Sequence, residues 1–153
     1  LISVLSINDG SAALGFTVFS ICMFAMRLMG DRISFKFGPS KTARYSGLVA
    51  LIGSIILLTF ESFFPLLIGF GLIGLGIAVI IPLAFSRAGN DKNISQGVAI
   101  ASIATLGYGG MLIGPLFIGF IAQATSIKTS FLIFPILAFL IFVLSKHLSI
   151  KSV

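Results

Sequence analysis

The chain has 153 residues, 58% of them hydrophobic and 9% charged, with 16 Phe, no Trp and a mean hydropathy of +1.19. So few charges cannot cover a water-soluble core of this size, which excludes a soluble globular domain and points to an integral membrane protein. The formal net charge of +6 reads as membrane topology and contact with anionic lipid, not nucleic-acid binding, and the single Cys22 rules out an internal disulfide.

The charges cut the chain into apolar blocks. There are 17 uncharged residues between Asp9 and Arg27, 16 between Arg44 and Glu61, 25 between Glu61 and Arg87, 35 between Lys92 and Lys128, and 17 between Lys128 and Lys146. About 20 helical residues cross a hydrocarbon core of about 30 Å, and flanking Lys and Arg stems extend the shorter blocks to the headgroups. The spacing predicts an all-α polytopic membrane protein of five transmembrane helices, A to E, at about 11–29, 45–60, 63–86, 95–122 and 129–146. Residues 1–153 would form one membrane domain or a part of one.

Ahead of helix A, residues 1–7 (LISVLSI) read as the tail of a preceding helix or a short outside segment. NDGS at 8–11 supplies a cap, with Asp9 or Ser11 as the acceptor. Helix A is followed by RLMGDRISFKFG (27–38), a concentration of charge in the form of Arg27, Asp31, Arg32 and Lys36. Helix B (YSGLVALIGSIILLTF) and helix E (TSFLIFPILAFLIFVLS) are bulky and apolar all round, which suits lipid contact at a rim. Helix C carries Gly69, Gly71, Gly74 and Gly76, and helix D six Gly from Gly97 to Gly119; small residues let backbones approach, so C and D are expected inside a bundle. Gly74, Gly76 and Pro82 are the packing and hinge candidates of helix C.

Helix D holds Gly110 and Gly114 in a GxxxG spacing, followed by Pro115, whose missing donor loosens the turn before it. The arrangement suits either rocking against a neighbour or static packing. Ser102, Thr105 and Tyr108 form a mildly polar stripe near mid-membrane, either contacting substrate or, through the hydroxyls, bonding the preceding turn.

Five helices alternate sides. Arg27, Arg32, Lys36, Lys41, Arg44, Arg87, Lys92, Lys146 and Lys151 therefore fall on one side and Lys128 alone on the other, which makes the basic side and the C-terminus cytoplasmic. No ionisable residue lies near the centre of a span, no cluster has metal-ligand spacing, and His147 stands alone in the basic tail. GxSxG, phosphate-loop and paired-acid patterns are absent as well, so neither enzyme chemistry, metal nor cofactor is expected.

RLMGDRISFKFG between two spans resembles the loop motif G-x-x-x-D-R-x-G-R-R of the major facilitator superfamily of secondary transporters. Asp31 and Arg32 match its acidic-basic pair and Lys36 its last basic residue, whereas Arg27, Ser34 and Phe35 stand where Gly, Gly and Arg would be. In that family the motif is strong after the second helix and weaker after the eighth, so the departures imply the second copy. GLGIAVIIP (74–82) is similar to the family's tenth helix and GYGGMLIGPLFIGFIA (107–122) to its eleventh. Helices A to E would then be the eighth to twelfth of a twelve-helix bundle whose N-terminal half is missing.

The resemblance implies a secondary active transporter of a small-molecule substrate working by alternating access, with H+ or Na+ as coupling ion, in a bacterial cytoplasmic (inner) membrane. It implies that Asp31, Arg32, Lys36 and Arg27 latch the cytoplasmic side, as against merely setting topology. Phe16, Ser20, Ser102, Thr105 and Tyr108 would face the substrate cavity. Expected partners are the substrate, membrane lipid and the missing half of the chain. The alternatives are a polytopic membrane enzyme and a non-transporting receptor or subunit of the same fold.

Overall fold

The computed structural model describes residues 9–90 and 94–148. They form α1 (Asp9–Phe37), α2 (Pro39–Thr59), α3 (Phe63–Ile77), α4 (Ile80–Gly89), α5 (Gln96–Ala124), α6 (Ile127–Ser130), α7 (Ile133–Leu144) and a closing 3-10 turn, Ser145–Leu148. No strand occurs among the described residues, so the all-α expectation holds. The cap expected at Asp9 or Ser11 lies outside the described side chains.

Four stretches are long and apolar enough to cross a membrane: Ala13–Phe37, Pro39–Thr59, Phe63–Gly89 and Gln96–Ala124. The fifth expected helix, 129–146, is divided instead. Phe131 and Leu132 form a turn between α6 and α7, and the 12-residue α7 spans only about 18 Å. Pro135 explains the break, because it has no N–H to offer the carbonyl of Phe131 four residues earlier; Phe134 donates to that carbonyl at 3.1 Å in its place. Helix C is interrupted for the same reason. The turn at Ala78 and Val79 separates α3 from α4, and Pro82 is the residue that would have bonded Ala78.

The chain forms two compact units, one of the described residues up to Ile80 with those from Phe131 on, the other of residues 81–130. In the first, α3 packs between α1 and α2, and α2 also holds α7. In lipid the burial of apolar surface does not distinguish one helix pairing from another, so close backbone approach carries the association. Glycine supplies it. A Cβ on Gly74 would lie 2.5 Å from the Phe19 carbonyl oxygen of α1, and one on Gly76 would lie 2.6 Å from Ala50 Cβ and from the Ser46 carbonyl oxygen of α2. Gly53 and Gly69 face each other's carbonyls in the same manner, at 2.8 and 3.0 Å.

The register gives the directions. Gly71 meets Val18 and Cys22, and further along Gly74 meets Phe19 and Met23, so α1 and α3 run parallel. Gly69 meets Gly53 while Gly76 meets Ala50 and Ser46, so α2 runs antiparallel to α3. This is the up-and-down order expected of successive spans.

Helix B was expected at a rim; within this unit α2 lies between α3 and α7. Its buried residues are Thr42, Ala43, Ser46, Gly47, Ala50, Gly53 and Ser54, all small. A Cβ on Gly47 would come within 2.9 Å of the Phe142 nitrogen of α7. The buried hydroxyls do not go unpaired at Thr42 and Ser54, which donate to the carbonyls of Gly38 and Ala50 at 2.9 and 2.7 Å.

In the second unit, α5 runs unbroken from Gln96 to Ala124 through Pro115. Within that unit nothing lies within 4 Å of a Cβ built on Gly107, Gly109, Gly110, Gly114 or Gly119. Ser126 opens α6 by accepting the Thr129 N–H at 3.1 Å.

Candidate functional site

The charged stretch after helix A is helical, not a loop. Helix A was expected to stop near residue 29 and helix B to start near 45, but α1 continues to Phe37 and α2 begins at Pro39, leaving Gly38 alone between them. Leu28, Met29, Arg32 and Lys36 are good helix formers, so charge ends the membrane span without ending the helix. Pro39 does end it, because the residue before a proline is driven out of the helical region, and Pro itself suits the first turn of α2. Gly38 adopts φ 83° and ψ 151°, a conformation essentially confined to glycine.

Helical geometry therefore sets the candidate latch. Arg27 and Asp31 are one turn apart, as are Arg32 and Lys36, so the four form two adjacent strips, and all are exposed. Lys36 lies in the last turn of α1, where a cation complements the helix dipole, and its Nζ sits 5.6 Å from the Phe37 ring centroid. Asp31 lies six residues before the end of α1, outside its last turn, so the dipole of its own helix does not decide its placement. Among the described residues neither Asp31 nor Arg32 has an ion-pair partner within 4.0 Å.

Directly beneath this stretch, Gly30 carries the side chain of Val79, one of the two residues in the turn that interrupts helix C; a Cβ at Gly30 has no room beside Val79 Cγ1. The same end of the unit is closed by α7. Ser40 Oγ donates to the Ser145 carbonyl at 2.7 Å, and the Arg44 guanidinium lies 4.9 Å from the Phe142 ring centroid. Lys146 follows immediately, so the basic residues of α1, α2 and the chain after α7 share one end of this unit.

Of the expected cavity residues, Phe16 and Ser20 lie one turn apart on α1. Phe16 stacks on Phe19 with ring centroids 6.4 Å apart and lines an apolar cleft of about 250 Å³ with Leu57, Phe70, Phe131 and Phe134. Ser102, Thr105 and Tyr108 lie on α5 in the other unit. Ser102 and Thr105 donate to the carbonyls of Val98 and Ala101 at 2.9 and 2.8 Å, the bonding-back alternative left open by the sequence, while Tyr108 is exposed. Of the packing candidates, Gly74 and Gly76 make close contacts, Pro82 accounts for a helix break, Gly110 and Gly114 have nothing within 4 Å of an added Cβ in their own unit, and Pro115 is exposed within an unbroken helix. Gly30 and Ser40 escaped the sequence reading, which took Arg44 as a cytoplasmic-side cation without its ring partner. Among the described residues no group of three His, Cys, Asp or Glu could hold a metal ion.

A helical chain with four membrane-length apolar stretches, packed through glycine and charged at one end, defines an integral multi-pass membrane protein. Residues 1–149 match the family model of the Major Facilitator Superfamily, and the chain belongs to that family. It is 39% identical over 142 residues to a protein of Sinorhizobium fredii named as the uncharacterized transporter y4wD, covering 93% of this chain and 38% of that one. It is 39% identical over 131 residues to an uncharacterized MFS-type transporter of Yersinia pestis, covering 86% and 34%. It is also 36% identical over 132 residues to the membrane protein MosC of Rhizobium meliloti, covering 86% and 32%. The chain thus spans about a third of the length of these curated relatives. No solved structure matches.

Proposed function

We propose that this chain is the C-terminal part of a secondary active transporter, its helices the eighth to twelfth of twelve, and that the full protein moves a small solute by alternating access. The observation that carries the reading is the family match across residues 1–149 of a chain that covers no more than 38% of relatives named as transporters. The charged end formed by α1 and α2 supports the placement, since it stands where the family's second-half motif would stand.

In this reading the basic end faces the cytoplasm, the chain ends there, and the protein resides in a bacterial inner membrane. Asp31 docks on the half of the protein that this chain lacks, with Arg27, Arg32 and Lys36 pairing to acids nearby, and together they hold the cytoplasmic side closed. Its exposure and the lack of an ion-pair partner among the described residues favour a partner elsewhere. Two helical halves rock about a site near the midplane, to which α1 contributes Phe16 and Ser20 and α5 contributes Ser102, Thr105 and Tyr108. With Ser102 and Thr105 bonded to their own helix, specificity and coupling to H+ or Na+ belong mainly to the other half.

The test is solute movement by the complete protein in proteoliposomes, across a panel of sugars, organic acids and drugs under imposed H+ and Na+ gradients. Gradient-driven movement of one class is expected. Ligand binding without movement indicates a receptor, and chemical conversion indicates an enzyme; either overturns the proposal.

A further inference from the structure

The end of the first unit that the proposed orientation turns to the cytoplasm contains a groove distinct from the cleft at Phe16. It lies between α1 and α2, with a volume of about 590 Å³, within the roughly 300–1,000 Å³ range of small-molecule sites. Its walls divide by chemistry. Met26, Ile33, Phe37, Val49 and Leu75 are apolar, while Lys41, Thr42, Tyr45 and Ser46 bring polar groups to it.

Those polar groups are differently engaged. Thr42 gives its hydroxyl to the Gly38 carbonyl and is spent within α2. Ser46 is 4% exposed and among the described residues makes no hydrogen bond, but its hydroxyl oxygen is accessible and not a sealed, unpaired group. Lys41 and Tyr45 are exposed, and among the described residues Lys41 has no ion-pair partner, so an ammonium and a phenol stand at the groove on successive turns of α2. Arg44 is committed to the Phe142 ring, which leaves Lys41 as the groove's own cation.

We infer that this groove binds an anionic phospholipid of the cytoplasmic leaflet, the phosphate on Lys41 and Tyr45 and the acyl stem along Met26, Ile33, Val49 and Leu75. The inference rests on the proposed orientation. Charge complementarity selects the occupant: Lys41, the cation that lines the groove, has no ion-pair partner among the described residues, and an anionic headgroup is the counter-charge a membrane supplies at that end. A soluble anion would leave the apolar walls wetted, and a zwitterionic lipid would set its own cation beside Lys41 along with its phosphate. The glycerol backbone would be the group nearest the Ser46 hydroxyl.

The complete protein, purified in detergent, is titrated with short-chain phosphatidylglycerol, short-chain phosphatidylcholine and inorganic phosphate, and bound molecules are counted by native mass spectrometry. Phosphatidylglycerol is expected to bind in preference to phosphatidylcholine, with inorganic phosphate unable to displace it. Lys41→Gln should weaken that binding about fivefold, the effect of one basic residue at an anionic surface, and Val49→Trp, which fills the groove, should abolish one bound lipid. Lys146→Gln, at the same end but outside the groove, should leave it unchanged. Equal loss from Lys41→Gln and Lys146→Gln, displacement by phosphate, or full binding by a Val49→Trp protein of unchanged melting temperature would each overturn the site. A Val49→Trp protein that fails to fold leaves the comparison of Lys41→Gln with Lys146→Gln to decide. The titration needs neither transport nor sidedness, so its failure leaves the transport reading intact, and a failure of transport leaves the lipid count readable.

Discussion

Val79 rests its side chain on the backbone of α1 at Gly30, with no space left for a Cβ between them. Gly30 directly precedes Asp31, and Val79 lies in the turn that Pro82 opens in helix C, so the candidate latch and the break in helix C meet at one point. A larger residue at Gly30 must separate α1 from that turn, since the branched Val79 is stiff and fully buried. Gly30→Ala is expected to destabilise the protein by about 1–3 kcal/mol through overpacking, and Val79→Ala in the same chain should restore most of it. Thermal unfolding of both variants in detergent measures this; equal melting temperatures for Gly30→Ala with and without Val79→Ala would show that the contact does not matter.

Gly38 is the one residue between α1 and α2, and its φ of 83° is unsuited to a side chain although nothing lies within 4 Å of where a Cβ would fall. Gly38→Ala should therefore cost about 1–3 kcal/mol from backbone strain alone. The same unfolding measurement reads it, and an unchanged stability would mean that the chain passes between the two helices in another conformation.

The closing of α7 onto α2 depends on two contacts near the same end. Ser40→Ala removes the hydrogen bond to the Ser145 carbonyl, worth about 1 kcal/mol, and Arg44→Gln removes a cation–π contact with Phe142 worth about 0.5–1 kcal/mol. Together they should expose the C-terminal end of α7 to limited proteolysis while the remaining helices stay protected. Cleavage spread evenly along the chain would contradict that local role.

In the proposed latch the charge of Asp31 is the central element. Asp31→Asn keeps size and hydrogen-bonding capacity but removes the charge, so membrane insertion and melting temperature should be near those of the parent, with transport reduced about tenfold if the lost contact is worth about 1.4 kcal/mol. Arg27→Gln, on the same strip, should have a smaller effect. Unchanged turnover in Asp31→Asn assigns the charge to topology.

The helices were legible because apolar length is an unambiguous demand of a bilayer: the blocks beginning after Asp9, Arg44, Glu61 and Lys92 each became a membrane-length apolar helical stretch, the third with a turn at Ala78 and Val79. Their ends were not legible, because Arg27, Arg32 and Lys36 leave the membrane without leaving the helix. Counting only glycines placed helix B at a rim, whereas Thr42, Ser46, Ala50 and Ser54 recur every fourth residue and give α2 its close-packing stripe just as glycine would. Pro82 and Pro135 each carried a readable signal, a break near the fourth residue upstream. The charged candidates were found from their pattern, but Gly30 and Ser40 act through partners distant in the chain, Val79 and Ser145, and no local spacing announces such a pairing. The hydroxyls of Ser102 and Thr105 show the reverse case, where a polar stripe in a helix is answered by the helix itself.

The account stands on these stretches crossing a bilayer in alternation, and labelling of introduced cysteines tests that most directly. In the complete protein, with Cys22 and any further native cysteine replaced by Ser, Lys41→Cys should react with a membrane-impermeant maleimide only from the cytoplasmic side. Lys128→Cys should react only from outside. Reaction of both from the same side would contradict the account.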